Sequence, residues 1–370
     1  MQRQGQWVGR LAGPQPTKIV LDLDLVGEFL QGVIYWFPEN ENFLGMCADI
    51  SIPVGEVTWV QSPLCRPLAP VTRDVIDLDN ATSPLVHWLD LKPDLIECTF
   101  DNDEFLLKWK DHNENTFTTL LKRADLDMPS AWHCNPDVKT WGEFVSWAFS
   151  LENKNFIFRG QGGKYKLSTT FHRNGRFDLS RYSMNDMVKV RDQLSFRLNK
   201  YFDLNDINQR GVFYSLIQHH GFPTPLLDWT YSPFVAAFFA FRKLASGDGD
   251  DIVRIYALDR TKWENSVKHL SRLSPQQPHF SIIEFPSTDN PRHHPQQSVM
   301  GISNVVDIES HIAEQEARTG NTFLHVVELP RGIRPEVMRH LKLMGLTAAS
   351  LFPDIDGECE ALKERFFGHF

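Results

Sequence analysis

The hydrophobic run Phe156-Ile157-Phe158 ends in Arg159 and opens into a turn containing Gly160, Gln161, Gly162 and Gly163. A guanidinium there offers planar, bidentate donors suited to phosphate or carboxylate. The glycines let a ligand come close to the backbone. The same arginine would serve equally by pairing with an acidic residue at a sheet edge. A second concentration of chemistry is the run HHGFPTPLLDWTYSP, residues 219–233, stiffened by Pro223 and Pro225. In it Asp228 is suited to orient a hydroxyl or a ribose, and Trp229 to stack on a base. The alternative makes a packing corner of this run, with Asp228 capping a helix and Trp229 filling the core. The third is HIAEQEARTGNTF, residues 311–323. Read as extended chain, Glu314 and Glu316 share one face and Gln315 takes the other. Paired carboxylates can bind hydroxyls and stabilise developing positive charge; the alternative is a solvated acidic turn before a core strand. No Ser/His/Asp or Cys/His set has the context that a nucleophilic hydrolase needs.

The elements that position these groups follow from pattern. Residues 17–25 alternate, with Ile19, Leu21, Leu23 and Leu25 on one face and Lys18, Asp22 and Asp24 on the other, which predicts a half-buried strand. Strands are also expected at 32–37, at 95–100 and 104–109 around the polar turn 101–103, and at 116–122. They imply a small sheet, sandwich or partial barrel over residues 1–130, ending at the prolines Pro129 and Pro136. Residues 138–370 form the second domain. Its helices are expected at 140–151, opened by a Thr140/Glu143 capping box, and at 184–202, 211–219, 233–244 and 335–344. Ser232 is the expected cap of the helix at 233–244, which has a proline in its first turn. Strands are expected at 155–158, 252–258 and 322–329. The proline-rich, polar stretch 273–303 is expected to be a long mobile loop.

Composition bounds the class. Of 370 residues, 42% are hydrophobic and 23% charged, with a net charge of −9, which argues against bulk coating of nucleic acid. Five cysteines without C-x-x-C spacing suit a reducing compartment and predict no zinc site or disulfide framework. The start of the chain lacks the apolar core of a signal peptide, and no run approaches the length of a membrane span. A cytoplasmic protein with no membrane partner is expected.

The segment Phe158-Arg159-Gly160-Gln161 and the run from His219 to Ser232 resemble the FRG domain, a family named for its opening Phe/Tyr-Arg-Gly motif. The helix carrying Ala236, Ala237, Phe239 and Ala240 and the close Phe352-Pro353-Asp354-Ile355-Asp356-Gly357 extend the likeness over about residues 140–370. Pro225 departs from it, standing where members often have arginine. Residues Gln315, Gly320 and Phe323 match the later motif only loosely. The N-terminal β region resembles the domain that often precedes FRG.

FRG segments are in turn similar to the ADP-ribosyltransferase core. That resemblance implies an α+β fold: an ADP-ribosyltransferase-like mixed split sheet with helices, preceded by a small mainly antiparallel β domain. It implies NAD as cofactor, held by Arg159, Gly160, Gln161 and His220, with Asp228 and Trp229 beside it and Thr230 and Ser232 as the hydroxyl motif. Glu316, with Glu314 and Arg159, would be catalytic, driving departure of nicotinamide, and the stretch 273–303 would be a lid. The acceptor would be a macromolecule, nucleic acid or protein, and the setting a toxin or defence effector with an antitoxin or partner protein. Two other readings stand beside it: an FRG module that binds a nucleotide or a protein without catalysis, and a metal-dependent nuclease using Asp228 and His220.

Overall fold

Alternating apolar residues in the first third of the chain form a single antiparallel sheet in the computed structural model, which describes residues 3–12, 15–77, 92–101, 104–151, 155–242, 251–268, 277–286 and 290–367. Its strands are β1 (Gly5–Leu11), β2 (Thr17–Val26), β3 (Phe29–Pro38), β4 (Gly45–Pro53), β5 (Thr58–Gln61), β6 (Cys65–Leu68), β7 (Leu95–Asp101), β8 (Glu104–Lys110) and β9 (Thr116–Arg123). They lie in the order β5-β7-β8-β9-β1-β2-β3-β4-β6. The β2–β3 hairpin turns on Gly27 and Glu28, and Gly27 takes φ 60°, the left-handed conformation that a tight hairpin asks of its first turn residue.

The sheet curls. Trp36 on β3 and Trp109 on β8 are four strands apart in the order, yet their rings meet at 6.1 Å. The Gln61 side chain of edge strand β5 bonds Asp49 O and Ser51 N of β4, near the opposite edge. Inside the curl, Ile19, Leu21, Leu23, Ile34, Phe105 and Leu107 make a closed core. The other face of β2 differs from expectation. Asp22 and Asp24 are buried: Gln6 of the neighbouring β1 binds Asp22, and from beyond the sheet Arg176 Nε and Phe177 N bind Asp24 at 2.7 and 2.6 Å. A strand buried on both faces replaces the half-buried one.

The second sheet contains β10 (Phe156–Gln161), β11 (Leu226–Thr230), β12 (Ile252–Asp259), β13 (Phe280–Ile283), β14 (Ser298–Ser303) and β15 (Leu324–Pro330), in the order β13-β14-β11-β10-β12-β15. All of its described pairings are antiparallel, where a mixed sheet was expected. Apolar alternation marks a segment as a strand but carries no direction. The expected mobile loop at 273–303 contains the edge strand β13 and its neighbour β14; residues 273–276 and 287–289 lie outside the described residues, as do 102–103 of the expected polar turn and 243–244 of the expected helix.

Helices cover both faces. They are α1 (Trp141–Ser150), α2 (Thr170–Arg173), α3 (Leu179–Arg181) running through a π-helical turn into α4 (Met187–Leu198), α5 (Ile207–His219), α6 (Pro233–Arg242), α7 (Arg260–Ser266), α8 (Ile308–Thr319), α9 (Arg334–Leu343), α10 (Ala348–Leu351) and α11 (Ile355–Phe367). The Thr140/Glu143 capping box forms at α1. Helix α6 packs on Phe156 and Phe158 of β10 through Val235, Ala236 and Ala240. On the opposite face, Ile308 and Ile312 of α8 pack with Ile157, Tyr256 and Val326. Among the described residues, no helix is long and apolar enough to cross a membrane.

Candidate functional site

Strand β10 touches β11 at one register pair, Phe158 with Thr230. Beyond it the two strands part, and Arg159 bridges the gap by donating from Nη1 to the Asp228 carbonyl at 2.6 Å. Among the described residues this is the one hydrogen bond of the Arg159 guanidinium, and its Nε is buried without a partner. Burial pushes the Arg159 pKa down to about 10; Asp228 opposes the shift, and the like charge of Arg173 adds to it. At neutral pH the group stays a cation.

Arg173 ends the short helix α2, whose cap is Thr169. Its pKa is lowered by burial and sustained by Asp228, and its guanidinium makes no hydrogen bond among the described residues. Asp228 is exposed on β11, and its Oδ1 accepts from Gln218 Nε2 at 2.7 Å. Gln218 is fixed in turn by the Thr224 hydroxyl, which bonds its Oε1. Arg159 thus meets the Asp228 main-chain carbonyl, and the Asp228 carboxylate, which attracts both guanidiniums electrostatically, is oriented from α5. Such a corner carries a net positive charge and has donors to spare, which suits an anion that also bears hydroxyl groups.

The other sequence-derived residues take different places. Gly160 serves packing: a Cβ there would fall 1.9 Å from Ala236 O of α6, so the glycine admits the helix rather than a ligand. Gln161 is buried with its Oε1 unpartnered. His220 is exposed at the end of α5. Trp229 is 2% exposed and packs against Phe280, so it cannot stack on a base; the core alternative holds for it. The Thr230 hydroxyl donates to Gln296 O, and Ser232 Oγ accepts from Val235 N as the cap of α6. Ser232, not Asp228, does the capping.

Glu314 and Glu316 are helical rather than extended, so residues two apart point about 200° from each other and cannot share a face. Glu314 receives Arg10 Nη2 and Lys18 Nζ, each at 2.7 Å, from the N-terminal sheet. Burial would raise its carboxyl, but Lys18 foremost holds it below the ordinary carboxylate range. Glu316 Oε1 accepts from Phe323 N and Leu324 N. The structure therefore brings Arg159 to the Asp228 carbonyl, while Glu314 spends both oxygens and Glu316 its Oε1 elsewhere.

Sequence reasoning missed Arg173, Gln218 and Glu309. Glu309, 5% exposed in the first turn of α8, accepts from Ser130 Oγ at 2.5 Å, Leu167 N at 3.0 Å and Tyr256 OH at 3.2 Å. Burial raises its carboxyl. Tyr256 is the register partner of Arg159, so Glu309 is the buried carboxyl group on the Arg159 face of the sheet. A cavity of about 640 Å³ lies beside it, lined by Glu309, Glu316, Lys166 and Asp307 but not by Arg159 or Asp228. No sequence pattern marks these residues: Arg173 and Glu309 gain their roles from partners far along the chain, and Gln218 from the turn that brings Thr224 and Asp228 back to α5. Among the described residues no three His, Cys, Asp or Glu side chains are grouped to hold a metal ion, so the nuclease reading has no donor set there.

Residues 154–249 match the family model of the FRG domain, and the chain carries that domain. The match contains Arg159, Arg173, Gln218 and Asp228 and stops before β12, so α8 and its glutamates lie outside it. No curated protein matches the chain.

Proposed function

We propose that the FRG domain of this chain binds a nucleotide at the corner formed by Arg159, Arg173 and Asp228. The observation that carries this reading is a pair of guanidiniums with uncommitted donors, Arg159 on the Asp228 carbonyl and Arg173 within its electrostatic reach, beside one exposed carboxylate oriented by Gln218. A pyrophosphate suits the two arginines, since charge-assisted hydrogen bonds to phosphate are short and strong. A ribose hydroxyl suits Asp228, which keeps Oδ2 for it. NAD combines both groups, and its ring finds no stacking partner in Trp229. The test is a calorimetric titration with NAD and with ADP-ribose. Arg159→Ala and Arg173→Ala should each weaken binding by about 10- to 100-fold, on the order of 1.5–3 kcal/mol for a charged hydrogen bond. Equal affinity in the wild type and both variants would remove the assignment.

A second reading is NAD-dependent transfer of ADP-ribose to a macromolecular acceptor, protein or nucleic acid. What favours it is the opening of the sheet at Phe158–Thr230, which sets Arg159 and Asp228 at the mouth of a split. Bound NAD would supply the glycosidic bond to be broken; the chain would hold its phosphates and position the sugar. On this reading Asp228 is the carboxylate within reach, because Glu314 and Glu316 are engaged with Lys18 and with the start of β15. Incubation with labelled NAD and a lysate acceptor, with any partner protein supplied, tests it. Transfer by wild type and Glu316→Gln but not Asp228→Asn is expected; no nicotinamide release by any of them would discard it and leave the binding reading standing.

A further inference from the structure

Helix α8 has two working faces. One carries Glu309 and Glu316 toward the second sheet; the other carries His311, Glu314 and Arg318 toward the curled N-terminal sheet. Between that second face and the N-terminal sheet lies a cavity of about 790 Å³, and a neighbouring one of about 410 Å³ shares Lys18, His311 and Glu314 with it. Five arginine and lysine side chains line the larger cavity against three glutamates, in a chain whose net charge is −9. Basic lining in an acidic protein is a local field that draws anions.

The lining also holds polar atoms that the protein does not satisfy. His311 is 7% exposed, and neither Nδ1 nor Nε2 has a hydrogen-bond partner. Gln277 Oε1 is likewise buried and unpartnered in the same lining. Buried polar atoms are normally paired, and an unpaired one is costly unless something else meets it. Burial, with Lys18 nearby, drives the His311 pKa down to about 4, so the ring is neutral and presents one donor and one acceptor. Phe37, Pro38, Val267 and Ala317 supply apolar wall. Arg318 commits Nε to Gln315 and Nη2 to a long contact with Ser266 O.

We propose that this cavity between the N-terminal sheet and α8 is a second ligand site, for a small nucleoside phosphate. The edge of the base, which alternates donors and acceptors, pairs with His311 and Gln277, its faces lie against Phe37 and Pro38, and the phosphate meets Arg318 and Lys268. The site is distinct from the Arg159 corner and uses both parts of the chain, so its ligand is held by β3 and α8 together.

The test is a titration of the full chain with AMP, run in the Arg159→Ala background so that the first corner is silenced. Saturable one-site binding is expected, with adenosine alone and inorganic phosphate alone each binding at least tenfold more weakly. Adding His311→Phe, which fills the base edge, or Arg318→Ala, an exposed change that leaves the core intact, should each weaken AMP binding tenfold or more. Absence of saturable AMP binding in the Arg159→Ala protein would overturn the proposal. So would AMP affinity unchanged by a folded Arg318→Ala variant, checked by circular dichroism.

Discussion

Glu316 Oε1 lies 2.6 Å from the nitrogen of Phe323 and 3.0 Å from that of Leu324, so one carboxylate oxygen of α8 secures the start of β15. The chain reverses between them at Gly320, which ends α8 with φ 70°. Two backbone donors are satisfied across this turn by a charged acceptor, an arrangement worth more than a neutral hydrogen bond. The relationship gives one oxygen of a residue with the look of a catalytic acid an architectural task.

The Glu316→Ala variant should therefore lose stability rather than ligand. A drop of about 2–3 kcal/mol in unfolding free energy is expected from stranding the two N–H groups. Urea denaturation reads the first quantity and NAD titration the second, which should stay within twofold of wild type. Unchanged stability with lost binding would place Glu316 in the ligand site instead.

Asp24 makes a sharper case of the same kind. Its side chain is 1% exposed and accepts from Arg176 Nε and Phe177 N, tying the N-terminal sheet to the segment before α3. Arg176 also holds Asp186, whose side chain is 30% exposed. Asp24→Asn should cost about 3 kcal/mol or more, since it leaves a half-buried guanidinium short of its buried partner. Asp186→Asn, at the wetter end, should cost under about 1 kcal/mol. Equal midpoints for the two variants in urea would refute the ranking.

Much of this architecture is legible in the sequence. Alternation located β2 and β12, apolar or β-branched runs beside turn residues located β3, β8 and β9, and the capping patterns at Thr140 and Ser232 gave the starts of α1 and α6. Arg159 and Asp228 were picked out by type and context, and they do meet. The failures share a cause: each depended on what a segment packs against. Asp22 and Asp24 read as a solvent face until the second half of the chain covers them. The prolines and polar residues of 273–303 hid two short strands, β13 and β14, which need only four to six residues each. Residues 314–316 read equally as extended or helical over so short a span, and the helix is set by Ile308 and Ile312 packing on the sheet. Arg173 enters the site through its attraction to Asp228, and Gln218 through the turn that carries the chain from α5 into β11; no local pattern marks either residue.

Gly160 illustrates the difference between a glycine for a ligand and one for a helix. A methyl group there would meet Ala236 O at 1.9 Å, a backbone atom that can move only with α6. Gly160→Ala should lower stability by about 1–3 kcal/mol through overpacking. Gly332→Ala is the control: its Cβ would meet nothing within 4 Å, and the change should be nearly neutral. A thermal melt in which both variants match wild type would show that α6 has room to give.

Acid sensitivity has a definable contribution from His172. The ring is 2% exposed, its Nδ1 is 2.9 Å from Thr169 Oγ1, and burial drives its pKa down to about 3. In the unfolded chain an imidazole takes up its proton as pH falls below about 6.5. Between those values the unfolded state binds the extra proton, so this group's contribution to stability is present above pH 6.5 and is lost as pH falls. Asp178 works in the opposite sense: burial raises its carboxyl to about 6, so the folded state holds a proton that the unfolded chain has released, and this term favours the fold as pH falls from 6 toward 4. The wild-type profile combines both, but a difference between two proteins cancels what they share. The unfolding free energy of His172→Leu minus that of wild type should rise by about 1.4 kcal/mol per pH unit from pH 6 to pH 4, whatever the cost of the substitution at neutral pH. Urea titrations at half-unit steps measure it, and a flat difference would mean that His172 is protonated in the folded protein.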